Sequence, residues 1–473
     1  MELDEKNIQN IIEEVVKNLD INHIEPHPVG IKMQGIFEDM NSAVYAALKA
    51  QRNLTEMSLA IRRKCIQAMR ECVINNLEHL SKSARDETGF GKVADKMMKN
   101  RLAAEMTPGI EDLQPETYSD DHGLTLTENA PYGVIGAISP STNPTETIIS
   151  NAIGMIAGGN SVVFNSHPAA KKVSSLTIHL LNEAIIKSGG PENVICAVEN
   201  PTIESAEMMM KHPYINLLVV TGGPGVVAAA MKNKKKVIAA GPGNPPVVVD
   251  ETANLVKAGK DIVNGASFDN NIICICEKEV LVVRSVADKL KEEMIKNGAY
   301  EIEKSQIEKL TKNVIVDPGR KGYAGSPNRE FVGKDASVIA ESIGLRIPEE
   351  TKILLCEVEK EHPLVWTEQL MPVIPFVRFD NAEDAIDFAF ECEHQFMHSA
   401  SIHSKNIERL SKMARIMNCS LFVKNGSNFN GMAYGGAGYT SFTIASPTGE
   451  GFTRARDFTR RRRCSLIDYF RIV

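Results

Sequence analysis

No run of apolar residues in this chain approaches the roughly 18 needed to span a bilayer as a helix. No basic stretch precedes an apolar one near the N-terminus, so no secretory leader is expected. Cysteine is present but unpaired: there are nine, an odd number, without paired spacing. Cys274 and Cys276 stand too close together for a CxxC redox or zinc pair. That pattern suits free thiols in a reducing compartment, with no metal expected. Positive charge is not in excess either. The formal net charge is -7, which excludes a general attraction to nucleic acid. The basic run Lys232–Lys236 reads as a solvated helix end, and Arg460–Arg463 as a structural or small-anion group rather than a DNA contact. There is no internal repeat and no low-complexity segment.

What is present is an ordinary globular composition, 43% hydrophobic and 24% charged, over 473 residues. That length suits two or three domains. Short β-rich runs alternate with helical patterns: Gly133–Ile138, Ser161–Phe164, Leu217–Val220, Lys236–Ile238, Val247–Val249, Glu279–Val283 and Ile374–Phe379. Strands separated by helices predict an α/β fold with a mainly parallel sheet.

Residues 1–20 form a unit of their own. Ile8, Ile11, Ile12, Val15, Val16 and Leu19 make one apolar stripe at helical spacing. A linker over 21–34, carrying Pro26 and Pro28, follows it. The helix either docks on its own domain or detaches to dock on a partner, and the linker favours the second.

Two loops stand out. Thr221-Gly222-Gly223-Pro224-Gly225 lies between a strand and a helical run, where first-turn amides and the helix dipole favour phosphate. It is not GxGxxG, and a plain tight turn reads equally well. Gly241-Pro242-Gly243-Asn244-Pro245-Pro246 is a rigid loop with no obvious structural need. Downstream, Cys274 follows Ser267-Phe268-Asp269-Asn270-Asn271.

Several stretches, in this order, resemble the aldehyde dehydrogenase superfamily. They are Pro131-Tyr132-Gly133-Val134-Ile135-Gly136, Pro140-Ser141-Thr142-Asn143-Pro144-Thr145-Glu146-Thr147, the two glycine loops, Ser267–Asn271 with Cys274 and Glu277-Lys278, Glu368-Gln369-Leu370-Met371-Pro372, and Pro447-Thr448-Gly449-Glu450-Gly451. They look most like the CoA-acylating branch, the propionaldehyde dehydrogenases of bacterial microcompartments. The resemblance implies an aldehyde dehydrogenase-like fold: a Rossmann-like cofactor domain plus an α/β catalytic domain and a small oligomerisation extension. The corresponding segments are 35–244 for NAD and CoA binding, with 118–131 contributing to oligomerisation, then 245–430 for catalysis, and 431–473 as return segment and oligomerisation tail.

The resemblance also implies roles. Cys274 is the nucleophile, and Cys276 a packing variant. A glutamate base of hydrolytic members falls at Ala240, 274 − 240 = 34 residues before the thiol. Without it the thioester waits for coenzyme A. The oxyanion asparagine of hydrolytic members falls at Thr142, with Asn143 beside it, so either is a candidate donor, as is the backbone N–H of Cys274. Glu368 matches the nicotinamide-ribose glutamate. His398 matches a histidine of the acylating branch that assists proton transfer from a thiol, or else is a core histidine. Pro140, Ser141, Thr221, Gly222, Gly223 and Gly225 line the cofactor, while the adenosine-ribose lysine and glutamate are replaced by Asn165 and Pro168. NAD is expected, with NADP open. The implied reaction is short-chain aldehyde, CoA and NAD+ to acyl-CoA and NADH. The substrate is propanal foremost, with acetaldehyde and butanal open. The enzyme would be a homo-oligomer in a microcompartment lumen, held to shell proteins by residues 1–20. Rival readings are a hydrolytic aldehyde dehydrogenase and a non-catalytic scaffold.

Overall fold

The computed structural model describes residues 33–473, so the expected helix over residues 1–20 and most of its linker lie outside the described residues. Every strand expected from the apolar runs is present. The first sheet has six strands. In spatial order they are Ile36–Phe37, Ile195–Val198, Ser161–Ser166, Val134–Ser139, Ile215–Thr221 and Lys236–Ala240, paired in parallel throughout. Val134–Ser139 and Ser161–Ser166 are buried along their whole length, as a parallel sheet covered on both faces requires. Helix Pro144–Ala157 is buried at every position, which is why it lacks a polar face. From Val134–Ser139 the chain winds outward one way to Ile195–Val198. It then returns to the opposite side of Val134–Ser139 with Ile215–Thr221. That reversal is a topological switch point, and ligands of such sheets bind outside the carboxyl ends of the strands there.

The second sheet has seven strands: Ala299–Glu301, Ile353–Glu357, Val373–Phe379, Glu279–Val283, Pro246–Val249, Ser399–His403 and Leu421–Lys424. It is also parallel throughout. A third, antiparallel sheet joins Glu116–Asp120, Gly123–Pro131 and Thr459–Ile467. Its outer strands are largely exposed. Arg460–Arg463 lie on the last of these strands, with Arg461 paired to Glu116. Of the other basic run, Lys232 caps helix Pro224–Met231, but Lys236 opens the next strand. Among the described residues no helix is long and apolar enough to cross a membrane, and no group of three His, Cys, Asp or Glu could hold a metal ion.

Candidate active site

The loop carrying Cys274 runs from the end of helix Leu255–Ser267 to strand Glu279–Val283. It opens with three consecutive residues in left-handed conformation, Asp269 (φ 47), Asn270 (φ 56) and Asn271 (φ 63). Such residues cost energy unless their surroundings hold them, and here they do. Asn271 Nδ2 donates to Ala266 O at 2.6 Å and Glu277 O at 3.0 Å. Asn270 Nδ2 donates to Asp335 Oδ1 at 2.8 Å. Lys278, fully buried, donates to Asn271 O at 2.8 Å, to Asn271 Oδ1 and to Ile273 O at 3.4 Å. Asn428 Nδ2 donates to Ile275 O at 2.8 Å. The carbonyls on both sides of Cys274 are therefore fixed.

Cys274 itself is half-buried, whereas Cys276 is buried and its Sγ lies 3.8 Å from Phe268 O. Burial pushes the Cys274 thiol up to about 12; the Glu368 carboxylate adds to that rise, and the Lys278 ammonium opposes it. Burial likewise raises Glu368 to about 7, against the pull of Lys278 and of the Gly243 N–H that it accepts.

His398 is buried, and burial with the nearby Lys278 charge lowers it to about 4. Its Nδ1 lies 2.9 Å from Ser399 Oγ, and Nε2 has no hydrogen-bond partner among the described residues. Gly243 separates His398 from the thiol loop. A side-chain carbon at that glycine would lie 2.8 Å from Cys274 O and 2.9 Å from His398 Cγ. The loop Gly241–Pro246 therefore has a structural need: only glycine lets histidine and cysteine loop approach. The loop is anchored by Asn244 Nδ2, which donates to Cys392 O at 2.9 Å and Val365 O at 3.0 Å.

The turn after strand Val134–Ser139 is tied to the Asp269 turn through Lys99. Pro140, Ser141 and Thr142 are half-buried and Asn143 is buried. Asn143 Nδ2 donates to Thr142 Oγ1 at 3.3 Å, and Asn143 Oδ1 accepts from Lys99 Nζ at 2.7 Å. Across the switch point, Thr221 Oγ1 lies 2.8 Å from Thr443 Oγ1, and Gly223 caps helix Pro224–Met231 with no side-chain cap bond. A side-chain carbon on Gly223 or Gly225 would meet nothing within 4 Å. The space beside this helix N-terminus is therefore open, which fits a pyrophosphate.

The family model for the aldehyde dehydrogenase family matches residues 20–454. The chain belongs to the aldehyde dehydrogenase family. It is 48% identical over 468 residues to the acetylating acetaldehyde dehydrogenase EutE of Escherichia coli, covering 98% of this chain and 100% of that one. The crystal structure of a Rhodopseudomonas palustris propionaldehyde dehydrogenase, solved with bound CoA and an acylated cysteine, superposes with a TM-score of 0.89 at 48% identity over 92% of this chain and 98% of that one. A propionaldehyde dehydrogenase from the fucose utilisation microcompartment of Clostridium phytofermentans gives 0.90 at 48% identity, over 93% of this chain and 100% of that one.

In this aldehyde dehydrogenase the residues singled out by sequence divide into two groups. Cys274, Glu368, Gly243 and His398 meet in one cluster, and Thr142, Asn143 and Thr221 stand at strand ends flanking the switch point. Asn165 is differently engaged. It is buried; its Oδ1 accepts from Ser205 Oγ at 2.5 Å and its Nδ2 donates to Thr202 O at 3.3 Å, so it braces the start of helix Ile203–Lys211. Ala240 ends strand Lys236–Ala240, buried and without a carboxylate. Sequence reasoning missed two lysines: Lys96 and Lys99 are among the largest fully buried side chains. The signal was the spacing of Lys96 and Lys99, which places both on one face of a helix.

Proposed function

We propose that this protein oxidises a short aldehyde, propanal foremost, to its coenzyme A thioester with NAD+ as hydride acceptor. The observation that carries the reading is a half-buried thiol beside Glu368, with a buried alanine, Ala240, at the position where the resemblance puts the glutamate base of hydrolytic members. Cys274 Sγ forms a bond to the aldehyde carbon and the carbonyl π pair moves to oxygen. Collapse of that alkoxide re-forms C=O and expels hydrogen with its electron pair, leaving a thioester on Cys274. When bound, the nicotinamide accepts that hydride, with NADP as the alternative form. Glu368 and the amides near Gly222, Gly223 and Gly225 would hold it.

His398 handles protons. Its pKa of about 4 keeps it neutral at physiological pH, and in the tautomer whose Nδ1–H donates to Ser399 Oγ its Nε2 presents a lone pair. Its low pKa disfavours a resting imidazolium, so in the first half-reaction it serves only as a transient acceptor of the Cys274 proton while the C–S bond forms. In the second it relays the proton of the CoA thiol to the departing Cys274 sulfur.

The test is turnover without coenzyme A. With NAD+ and propanal alone, NADH should appear as a burst of about one equivalent per site and then nearly stop. Rapid steady turnover to free propionate would instead support the hydrolytic reading and refute this one. Kinship with a microcompartment enzyme supports a microcompartment lumen as the location, with residues 1–20 as the segment that docks on shell proteins. The exposed Tyr118, Leu466, Ile467, Tyr469 and Phe470 of the antiparallel sheet and tail support self-association there.

A further inference from the structure

Lysines almost never bury completely without a specific partner, yet helix Val93–Met106 buries two, at 0% and 1% exposure. Lys99 Nζ touches three groups: Asp269 Oδ2 at 2.6 Å, Asn143 Oδ1 at 2.7 Å and Glu146 Oε1 at 3.0 Å. Lys96 Nζ reaches Asp269 Oδ2 at 3.1 Å. The Lys92 N–H donates to Asp269 Oδ1 at 2.7 Å, and the Asp269 N–H donates to Asp95 Oδ2 at 2.8 Å. A side-chain carbon on Gly91 would fall 1.8 Å from Asp269 Oδ1, so the backbone is shaped around this carboxylate. A buried ion cluster contributes no more stability than an apolar one of the same volume. Its position is what distinguishes it, because it joins the turn bearing Asn143 to the strained turn that leads to Cys274.

An ammonium can only donate hydrogen bonds. The Asn143 oxygen therefore faces Lys99, and the amide hydrogens point away, one of them to Thr142 Oγ1. Thr142 accepts that bond, which leaves its own hydroxyl hydrogen free. Asn143 is also the N-cap of helix Pro144–Ala157, where an asparagine side chain ordinarily accepts from a first-turn amide. It makes no such bond, because its oxygen is given to Lys99.

We propose that Lys99 is a positioning residue for aldehyde oxidation: it orients a donor chain, Lys99 to Asn143 to Thr142, whose last hydroxyl donates to the alkoxide oxygen formed on Cys274. Through Asp269 the same ammonium fixes the turn that presents the thiol. This rests on the cysteine-thioester reading above, and it selects Thr142 as the side chain that touches the oxyanion.

The test uses the full-length enzyme with NAD+ and propanal, reading the rate of the NADH burst, the acyl adduct on Cys274 by mass spectrometry, the NAD+ Kd and the melting temperature. Thr142→Val should slow the burst about 100-fold, the usual loss for one oxyanion donor, and Thr142→Ser should recover most of the rate. Asn143→Asp keeps an oxygen on Lys99 but turns its partner atom from donor to acceptor, so the Thr142 hydroxyl rotates inward. It should lose about as much as Thr142→Val, and the double variant should be no slower than the worse single one. Lys99→Met should show the same loss with NAD+ Kd unchanged. If Lys99→Met does not fold, Asn143→Asp and the double-variant cycle decide, since they leave Lys99 and Asp269 in place. A Thr142→Val burst within about twofold of wild type, or losses that multiply in the double variant, would overturn the proposal. Failure of the thioester reading looks different, because the wild type itself would then give neither burst nor adduct.

Discussion

Two thiols stand two residues apart on the same loop, and their surroundings separate them. Cys276 packs wholly inside the core, and burial raises its thiol beyond the usual range. Cys274 is partly open, between the Glu368 and Gly243–His398 groups. Cys274→Ala should therefore abolish NADH formation from propanal while NAD+ binding, followed by titration, stays within about twofold. Cys276→Ala should retain a sizeable fraction of the activity and lose about 1 kcal/mol of stability for the small void it leaves. An active Cys274 variant beside a dead Cys276 variant would reverse the assignment. At this scale the motifs singled out Cys274, Glu368 and His398, and the fold brings the three into one cluster. The burial of Lys96 and Lys99 on helix Val93–Met106 was not legible in the sequence. Charged residues on a helix read as a solvated face, and only folding brings Asp269 against Lys96 and Lys99, far apart in sequence. The choice between Thr142 and Asn143 was open for the same reason, since it depends on which way an amide points.

Among the elements, the turn Asp269-Asn270-Asn271 holds three consecutive residues in left-handed backbone. Asparagine tolerates left-handed backbone better than most residues, and Asn271 also supplies an acceptor to Lys278. Asn271→Gly loses the side-chain bonds but keeps the backbone comfortable; Asn271→Ala loses both. Urea unfolding should thus rank wild type above Asn271→Gly, and Asn271→Gly above Asn271→Ala by about 1 kcal/mol. Equal stability of the two variants would mean that the turn relaxes once its hydrogen bonds are gone. Central strands such as Val134–Ser139 and Glu279–Val283 were readable because strands buried on both faces appear as continuous apolar runs. Strand Thr459–Ile467 was not, since its four arginines face solvent and register as a charge cluster. The loop Gly241–Pro246 showed no structural need in sequence because Gly243 is required by the close approach of Cys274 O and of His398, both distant in the chain.

For the whole molecule, the question is how much of the chain the enzyme needs to fold and act. The two parallel sheets, the antiparallel sheet and every site group discussed lie within residues 34–473. The stripe Ile8, Ile11, Ile12, Val15, Val16 and Leu19 lies outside the described residues, and its amphipathic pattern alone does not say what it covers. Energetics separates the alternatives. Each aliphatic side chain buried on the parent domain would contribute roughly 1.5–3 kcal/mol, so losing six of them would lower the melting temperature by many degrees. A stripe reserved for a shell protein would contribute almost nothing to the isolated enzyme. Deleting residues 1–20 should therefore leave the melting temperature and the specific activity with propanal and CoA nearly unchanged, raise solubility and end co-purification with shell particles. Residues 1–20 fused to an unrelated reporter should carry it into those particles. A truncated enzyme that melts many degrees lower, with a reporter that stays outside the particles, would make the segment part of the enzyme's own core. The confinement of the aldehyde would then need another anchor.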